Sequence, residues 1–172
     1  GYTSQLINWP RPLLDGLVAE GFRVVRYDNR DVGFSQKFEG APDPSETLKA
    51  VLGGQQPDIP YVMADMAADG IGVLDALGID KAHIVGVSMG GMIVQLMAIN
   101  HADRVQSMTS IMSSTGNPDV PRATPEAQQA LNEPAPSQER QDVITHSIKG
   151  RRTYESPAYK KTDAEYEELI GE

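Results

Sequence analysis

The chain has no cysteine. Disulfide staples, thiolate nucleophiles and cysteine-ligated zinc are therefore all excluded, and whatever stability the chain has must come from a packed core. It also has no apolar run approaching the ~20 residues that span a bilayer, so no transmembrane helix is expected. Basic residues are in deficit: 15 Lys and Arg stand against 24 Asp and Glu, for a formal net charge of −9. A nucleic-acid backbone needs a basic face, and the one basic cluster, KGRR at 149–152, sits among acids, so nucleic acid is not an expected partner. The opening residues show no basic stretch followed by an apolar core, hence no visible secretory signal, and a cytoplasmic location is the default expectation. Internal repeats of solenoid period are absent as well.

What is present is an ordinary globular composition, 40% hydrophobic over 172 residues, enough for one sizeable core. Its pattern alternates. A short helix is expected over 10–20, opened by Pro10 or Pro12 and closed by Gly21. FRVVRYD (22–28) reads as a buried strand, and NRDVGFS after it as a turn. Residues 36–60 read as a long surface connection with a helical turn or two at 45–52. Helical spacing returns at 62–78, where Met63, Met66, Ala67, Ile71, Leu74 and Leu77 share a face and Gly78 stands at the C-cap. AHIVGV (82–87) is a strand, 90–101 a helix and 105–113 a third strand. Strand and helix in alternation indicate an α/β fold, three layers with a mostly parallel sheet. From residue 116 the strand-like runs stop, and three helical candidates follow near 124–132, 137–149 and 162–170. The expected division is a core at 1–115 and a helical cap segment at 116–172. Three strands leave two bare sheet edges, so the sheet is expected to be part of a larger one.

The most informative stretch is HIVGVSMGGMIVQ (83–95), where a strand must become a helix at a serine. Gly86-Val87-Ser88-Met89-Gly90 fits G-x-S-x-G with a strand before it and a helix after it, the context that makes the pattern a nucleophile elbow. The sharp reversal forces the serine into strained backbone angles, and side chains two residues to either side are expected to collide. The strain lifts the Ser88 hydroxyl clear of the sheet and leaves the Met89 N–H at a helix N-terminus, facing a developing oxyanion. Gly91 gives the helix room to lie close to the sheet. The glycines do not fit a phosphate loop: neither G-x-G-x-x-G at a helix start nor G-x-x-x-x-G-K-[ST] is present.

YDNRDVGFS (27–35), followed about 50 residues later by DALGIDKAHIVGVSMGGMIVQLMA, resembles the α/β-hydrolase superfamily. The segments RYDNRDVGFS and HIVGVSMGGMIVQ are similar to its branch of small esterases that includes the aclacinomycin methylesterase type. The resemblance covers residues 1–115, with the start of the family's helical cap beyond. It implies a Ser-His-Asp hydrolase in which Ser88 is the nucleophile and the Met89 N–H one oxyanion donor. Gly1-Tyr2-Thr3 looks like the tail of the loop that gives the second donor. Asp31 stands where the family's D-x-R-G-x-G-x-S pattern has its first glycine, a variation that implies a structural turn. The triad acid and histidine are implied to follow the cap, outside these residues.

Can the residues present stand in? Of the three histidines, His83 begins its strand ~15 Å of extended chain from Ser88, and His101 closes a helix ~18 Å long. His146, beside Val143, Ile144 and Ile148, has two readings, a base hanging over the site or plain cap packing, and its helical neighbours explain the second. Asp119 in GNPDVPR is either a triad acid or a turn residue. Asp103 reads as a cap or surface charge. Met89 and Met92 line an acyl pocket or fill the core, and Trp9 flanks the pocket mouth or packs on a helix. Asp65 and Asp69, four residues apart with no histidine partner, read as a solvated helix face rather than a metal site.

The function expected is hydrolysis of a carboxylic ester through an acyl-enzyme on Ser88, with a small-molecule ester as partner and no metal or organic cofactor. Acyltransferase, lactonase or perhydrolase chemistry on the same elbow is the first alternative. The second is an inactive fragment that forms a homodimer through exposed sheet edges.

Overall fold

A computed structural model describes residues 1–2, 4–40, 42–117 and 119–171. Its elements are a 3₁₀ turn Leu6–Asn8, α1 Arg11–Ala19, α2 Pro44–Leu52, α3 Met63–Ala76, β1 Ala82–Val87, α4 Met89–Asn100, a second 3₁₀ turn Ala102–Arg104, β2 Val105–Ile111, α5 Pro125–Asn132, α6 Arg140–Tyr154 and α7 Asp163–Gly171. They form two compact units, the first from Gly1–Leu6 with Arg26–Asn117, the second from Ile7–Val25 with the described residues after 118.

The first unit is built on the βαβ segment. β1 and β2 pair in parallel, with Ile84 opposite Met108 and Val87 opposite Ile111. The middle of the α3 face expected from the sequence packs as read, with Met66, Ala67, Ile71 and Leu74 joining Ile84 of β1 and Ile93, Val94 and Met97 of α4 in one buried cluster, whereas Met63 and Leu77 at the helix ends stay exposed. α3 begins where Asp65 reaches back to accept from the Val62 N–H at 2.8 Å, filling one of the donors that a helix start leaves open. It ends at Gly78, whose φ of +64° suits the residue after a helix.

One expectation needs correction. The run 22–28 is not a strand: among the described residues the sheet has only β1 and β2. β-rich composition makes a strand only where a neighbour takes up its N–H and C=O groups, and Val25 stays 39% exposed. The helical turns expected at 45–52 are present as α2, opened by Asp43, which accepts from Ser45 N and Glu46 N. Asp65 is exposed and Asp69 half-exposed, as a solvated face would be, but both carboxylates are engaged. Asp65 caps α3 as above, and Asp69 takes two hydrogen bonds from Arg30, both at 2.7 Å.

Among the methionines, Met66 and Met97 fill the core, but Met63, Met108 and Met112 are exposed. Helical spacing supports the first two. Met108 and Met112 lie on and just after β2, outside any helix.

In the second unit α6 packs between α5 and α7, burying Ile144 and Tyr166. Arg152 pairs with Glu155 and Asp163, and the Tyr166 hydroxyl donates to Glu155 at 2.7 Å. Among the described residues no helix is long and apolar enough to cross a membrane.

Candidate functional site

At the end of β1 the chain turns within one residue. Ser88 has φ +56° and ψ −121° and serves as N-cap of α4. That is a left-handed conformation that side chains other than glycine rarely take, and it holds only where the surroundings over-determine it. The crowding that demands glycine is real at Gly86: a Cβ there would lie 2.0 Å from the Gly90 oxygen. It is not real at Gly90, where a Cβ would meet nothing nearer than the Gly1 nitrogen at 3.9 Å. The expected collision on both sides is thus one-sided, because the tight approach is between the residue 86 position and the residue 90 backbone. Gly91 behaves as read. A Cβ there would come within 2.4 Å of Ser113 Cβ and 2.7 Å of Ser110 Oγ, so glycine lets α4 lie directly on the end of β2.

Both backbone groups of Ser88 are taken. Its N–H donates to Ile111 O at 2.9 Å, continuing the parallel ladder one residue past β1. Its C=O accepts from Gly91 N at 2.8 Å and Met92 N at 3.4 Å, and from the Ser113 hydroxyl at 2.8 Å. Gln95 of α4 donates to Ser110 Oγ and Ser114 O, pinning the same loop to the helix. The side chain of Ser88 is half-buried. Met89, the first residue of α4, packs against the core cluster while its N–H lies in the first turn of the helix. Sequence reasoning does not single out Ser113, Gln95 or Ile111. The one local signal, a Ser-Ser-Thr run after a strand, says nothing about where those hydroxyls point.

No imidazole or carboxylate among the described residues hydrogen-bonds the Ser88 hydroxyl. His83 sits at the far end of β1 with Nδ1 2.7 Å from Ser107 Oγ. His101 follows the last turn of α4, its N–H donating to Met97 O. His146 belongs to the second unit, where Nε2 lies 2.8 Å from the Glu133 carbonyl at the end of α5. Asp119 lies exposed in a turn, and Trp9 is a half-buried residue just before α1. Thr3 lies outside the described residues. Gly1 is at the elbow, where a Cβ would be 3.8 Å from Val87 O. Among the described residues no group of three or more His, Asp or Glu gathers to hold a metal ion.

The second motif, RYDNRDVGFS, folds on its own side chains. The buried Asp28 carboxylate accepts from Leu6 N at 2.6 Å and Phe34 N at 3.3 Å. Gly33 has φ +52°, and a Cβ there would be 2.0 Å from Asp28 Oδ2. Asp31 is left-handed at φ +67°, consistent with a position where glycine is the alternative. The Tyr61 hydroxyl and the Phe38 N–H donate to the Asp31 carboxylate, at 2.5 and 2.7 Å, and hold it below the ordinary carboxyl range. The Arg30 guanidinium, paired with Asp69, lies over the Phe38 and Tyr61 rings at 5.2 and 5.0 Å.

A model of the alpha/beta hydrolase fold matches residues 1–155. The chain belongs to the alpha/beta hydrolase family. Rhodomycin D methylesterase DnrP of Streptomyces peucetius is 30% identical over 142 residues, covering 80% of this chain and 42% of that one. Rhodomycin D methylesterase DauP of Streptomyces sp. (strain C5) is 32% identical over 105 residues, 61% of this chain and 30% of that one. Among solved structures, a meta-cleavage product hydrolase (CumD) of Pseudomonas fluorescens superposes with a TM-score of 0.66 at 23% identity, over 98% of this chain and 51% of that one. This hydrolase-family chain therefore spans less than half the length of the two methylesterases it matches. The likeness to CumD shows the fold.

Proposed function

We propose that Ser88 is the nucleophile of a carboxylic-ester hydrolase and that this chain carries the nucleophile half of its active site. The observation behind this reading is the backbone of Ser88, a strained non-glycine residue (φ +56°) at the junction of β1 and α4 with both main-chain groups bonded. Strain retained so specifically at a half-buried serine fits a role for its hydroxyl. Two relatives bearing the name methylesterase support an ester as substrate.

In this reading Ser88 Oγ attacks the ester carbonyl carbon, and its proton passes to a base. The carbonyl oxygen takes up negative charge beside the Met89 N–H. Collapse expels the alcohol, protonated by that same base, and leaves an acyl-serine that water hydrolyses to the acid. The base and its acid partner come from outside these residues. This is supported by the positions of the three imidazoles, each engaged elsewhere or a strand's or helix's length away.

The test is hydrolysis of a short-chain p-nitrophenyl ester by the chain, beside Ser88→Ala and His146→Ala. A wild-type rate above the Ser88→Ala background supports the nucleophile. Loss in His146→Ala as well would make that cap residue the base and overturn the placement of base and acid outside the chain. A second reading, edge-to-edge pairing of two copies, is favoured by the two-stranded sheet, with Val85, Met108 and Ile111 each about 40% exposed. Light scattering at twice the monomer mass would support it.

A further inference from the structure

We propose that Ser113 is a positioning residue for the oxyanion donor, acting through the peptide that joins Ser88 to Met89. This rests on the reading of Ser88 as nucleophile. The carbonyl of Ser88 and the N–H of Met89 belong to one planar trans unit and point in opposite directions. Whatever fixes the carbonyl therefore fixes the direction of the N–H. Three donors converge on that carbonyl. Two are the first helical amides, Gly91 and Met92, the second of them long at 3.4 Å. The third is the Ser113 hydroxyl at 2.8 Å, from the loop after β2.

The loop is shaped for that contact. Met112, between Ile111 and Ser113, is itself left-handed at φ +51°, with its side chain 69% exposed. Packing of that side chain does not explain the conformation. Its geometric result is that consecutive loop residues serve both faces of the serine backbone: Ile111 O receives the Ser88 N–H, and Ser113 Oγ–H reaches the Ser88 C=O. Gln95 and the space left at Gly91 hold the loop against α4. The hydroxyl also polarises the peptide. A hydrogen bond accepted at the carbonyl draws charge from the amide nitrogen and strengthens the opposite N–H as a donor. Ser113 thus aims and strengthens the Met89 N–H without touching substrate.

The experiment uses the full 172-residue chain labelled with ¹⁵N-methionine, which gives at most seven amide signals. The Met89 signal is identified by its loss in Met89→Leu. In Ser113→Ala the Met89 nitrogen is expected to move upfield while the core amides of Met66 and Met97 stay in place. Ser113→Cys, similar in shape with a weaker donor, is expected to fall between, and Ser107→Ala, at the far end of β2, to leave Met89 unmoved. An unmoved Met89 signal in folded Ser113→Ala overturns the proposal. If that variant does not fold, an unmoved signal in Ser113→Cys does so. In parallel, where the wild-type chain hydrolyses the ester above the Ser88→Ala background, Ser113→Ala is expected to lose about tenfold in kcat with KM unchanged, a fraction of the 10²–10³ that losing one oxyanion donor costs. A fall in KM-dependent binding alone would also overturn it. If the wild type is no faster than Ser88→Ala, the base lies outside this chain as proposed above, and the amide signals alone decide whether Ser113 orients the Met89 peptide.

Discussion

Two tight turns of the first unit, the elbow at 86–91 and the loop at 28–38, reach unusual backbone angles by opposite means. In the elbow, the main chain is what is held: the Gly86 position faces the Gly90 oxygen, and Ser88 is tied to β2 through its N–H and to α4 and the Ser113 hydroxyl through its C=O. The serine hydroxyl is not used to build the turn. In the loop, side chains do the building. Asp28, Asp31, Arg30 and Ser35 each spend their polar atoms on loop backbone, on Leu6 N, on Tyr61 or on Asp69. The difference teaches where chemistry can reside. A turn held by its backbone leaves its side chain free to react, whereas a turn held by side chains has none to spare.

The largest test of this contrast is within the elbow. Gly86→Ala places a methyl against backbone that cannot move aside and is expected to cost about 3 kcal/mol, while Gly90→Ala changes stability by less than about 1 kcal/mol. Thermal melts of the two variants, with ester hydrolysis, check the asymmetry; equal losses would mean that both glycines are held by crowding. A smaller effect is expected in the loop. Arg30→Met removes a two-pronged ion pair whose Arg30 side chain is 16% exposed and Asp69 side chain 38% exposed, and a denaturant midpoint should register about 1–2 kcal/mol. If the loop is scaffold alone, the KM of any ester activity stays as in the wild type.

The smallest effect is a titration. The Tyr61 hydroxyl first, then the Phe38 N–H, depress the Asp31 carboxyl, so its folded pKa lies below the ordinary value of ~3.9. The contribution of this contact is complete above that ordinary value and is lost as pH falls through the folded pKa. Tyr61→Phe is expected to raise the Asp31 midpoint, read by the carboxyl carbon signal, toward the ordinary value. No change would transfer the effect to the Phe38 amide.

These outcomes separate what local sequence encodes from what it leaves open. α3, β1 and α4 were legible because each depends on spacing within about a dozen residues: an apolar face, a β-branched run, a glycine two positions before a serine. The same local logic put Ser88, Met89 and Gly91 at the junction of β1 and α4 and set α5 and α7 within a residue of their observed bounds, while α6 starts three residues later and ends five residues later than expected. It failed where the deciding partner is distant. The ion-pair partner of Asp69 was not legible because Arg30 lies 39 residues away. The run 22–28 looked like a strand because composition reports a preference for extended backbone and not the presence of a neighbour. Ser113 carried no signal, for its meaning is one hydrogen bond to a carbonyl 25 residues earlier. By itself, then, the sequence determined the alternation of helix and strand and the turn on which Ser88 is raised, since both follow from short-range sterics. Only the tertiary structure decided which segments pair, which charges are matched and what braces the Ser88–Met89 peptide, since those depend on groups that meet only when the chain is folded.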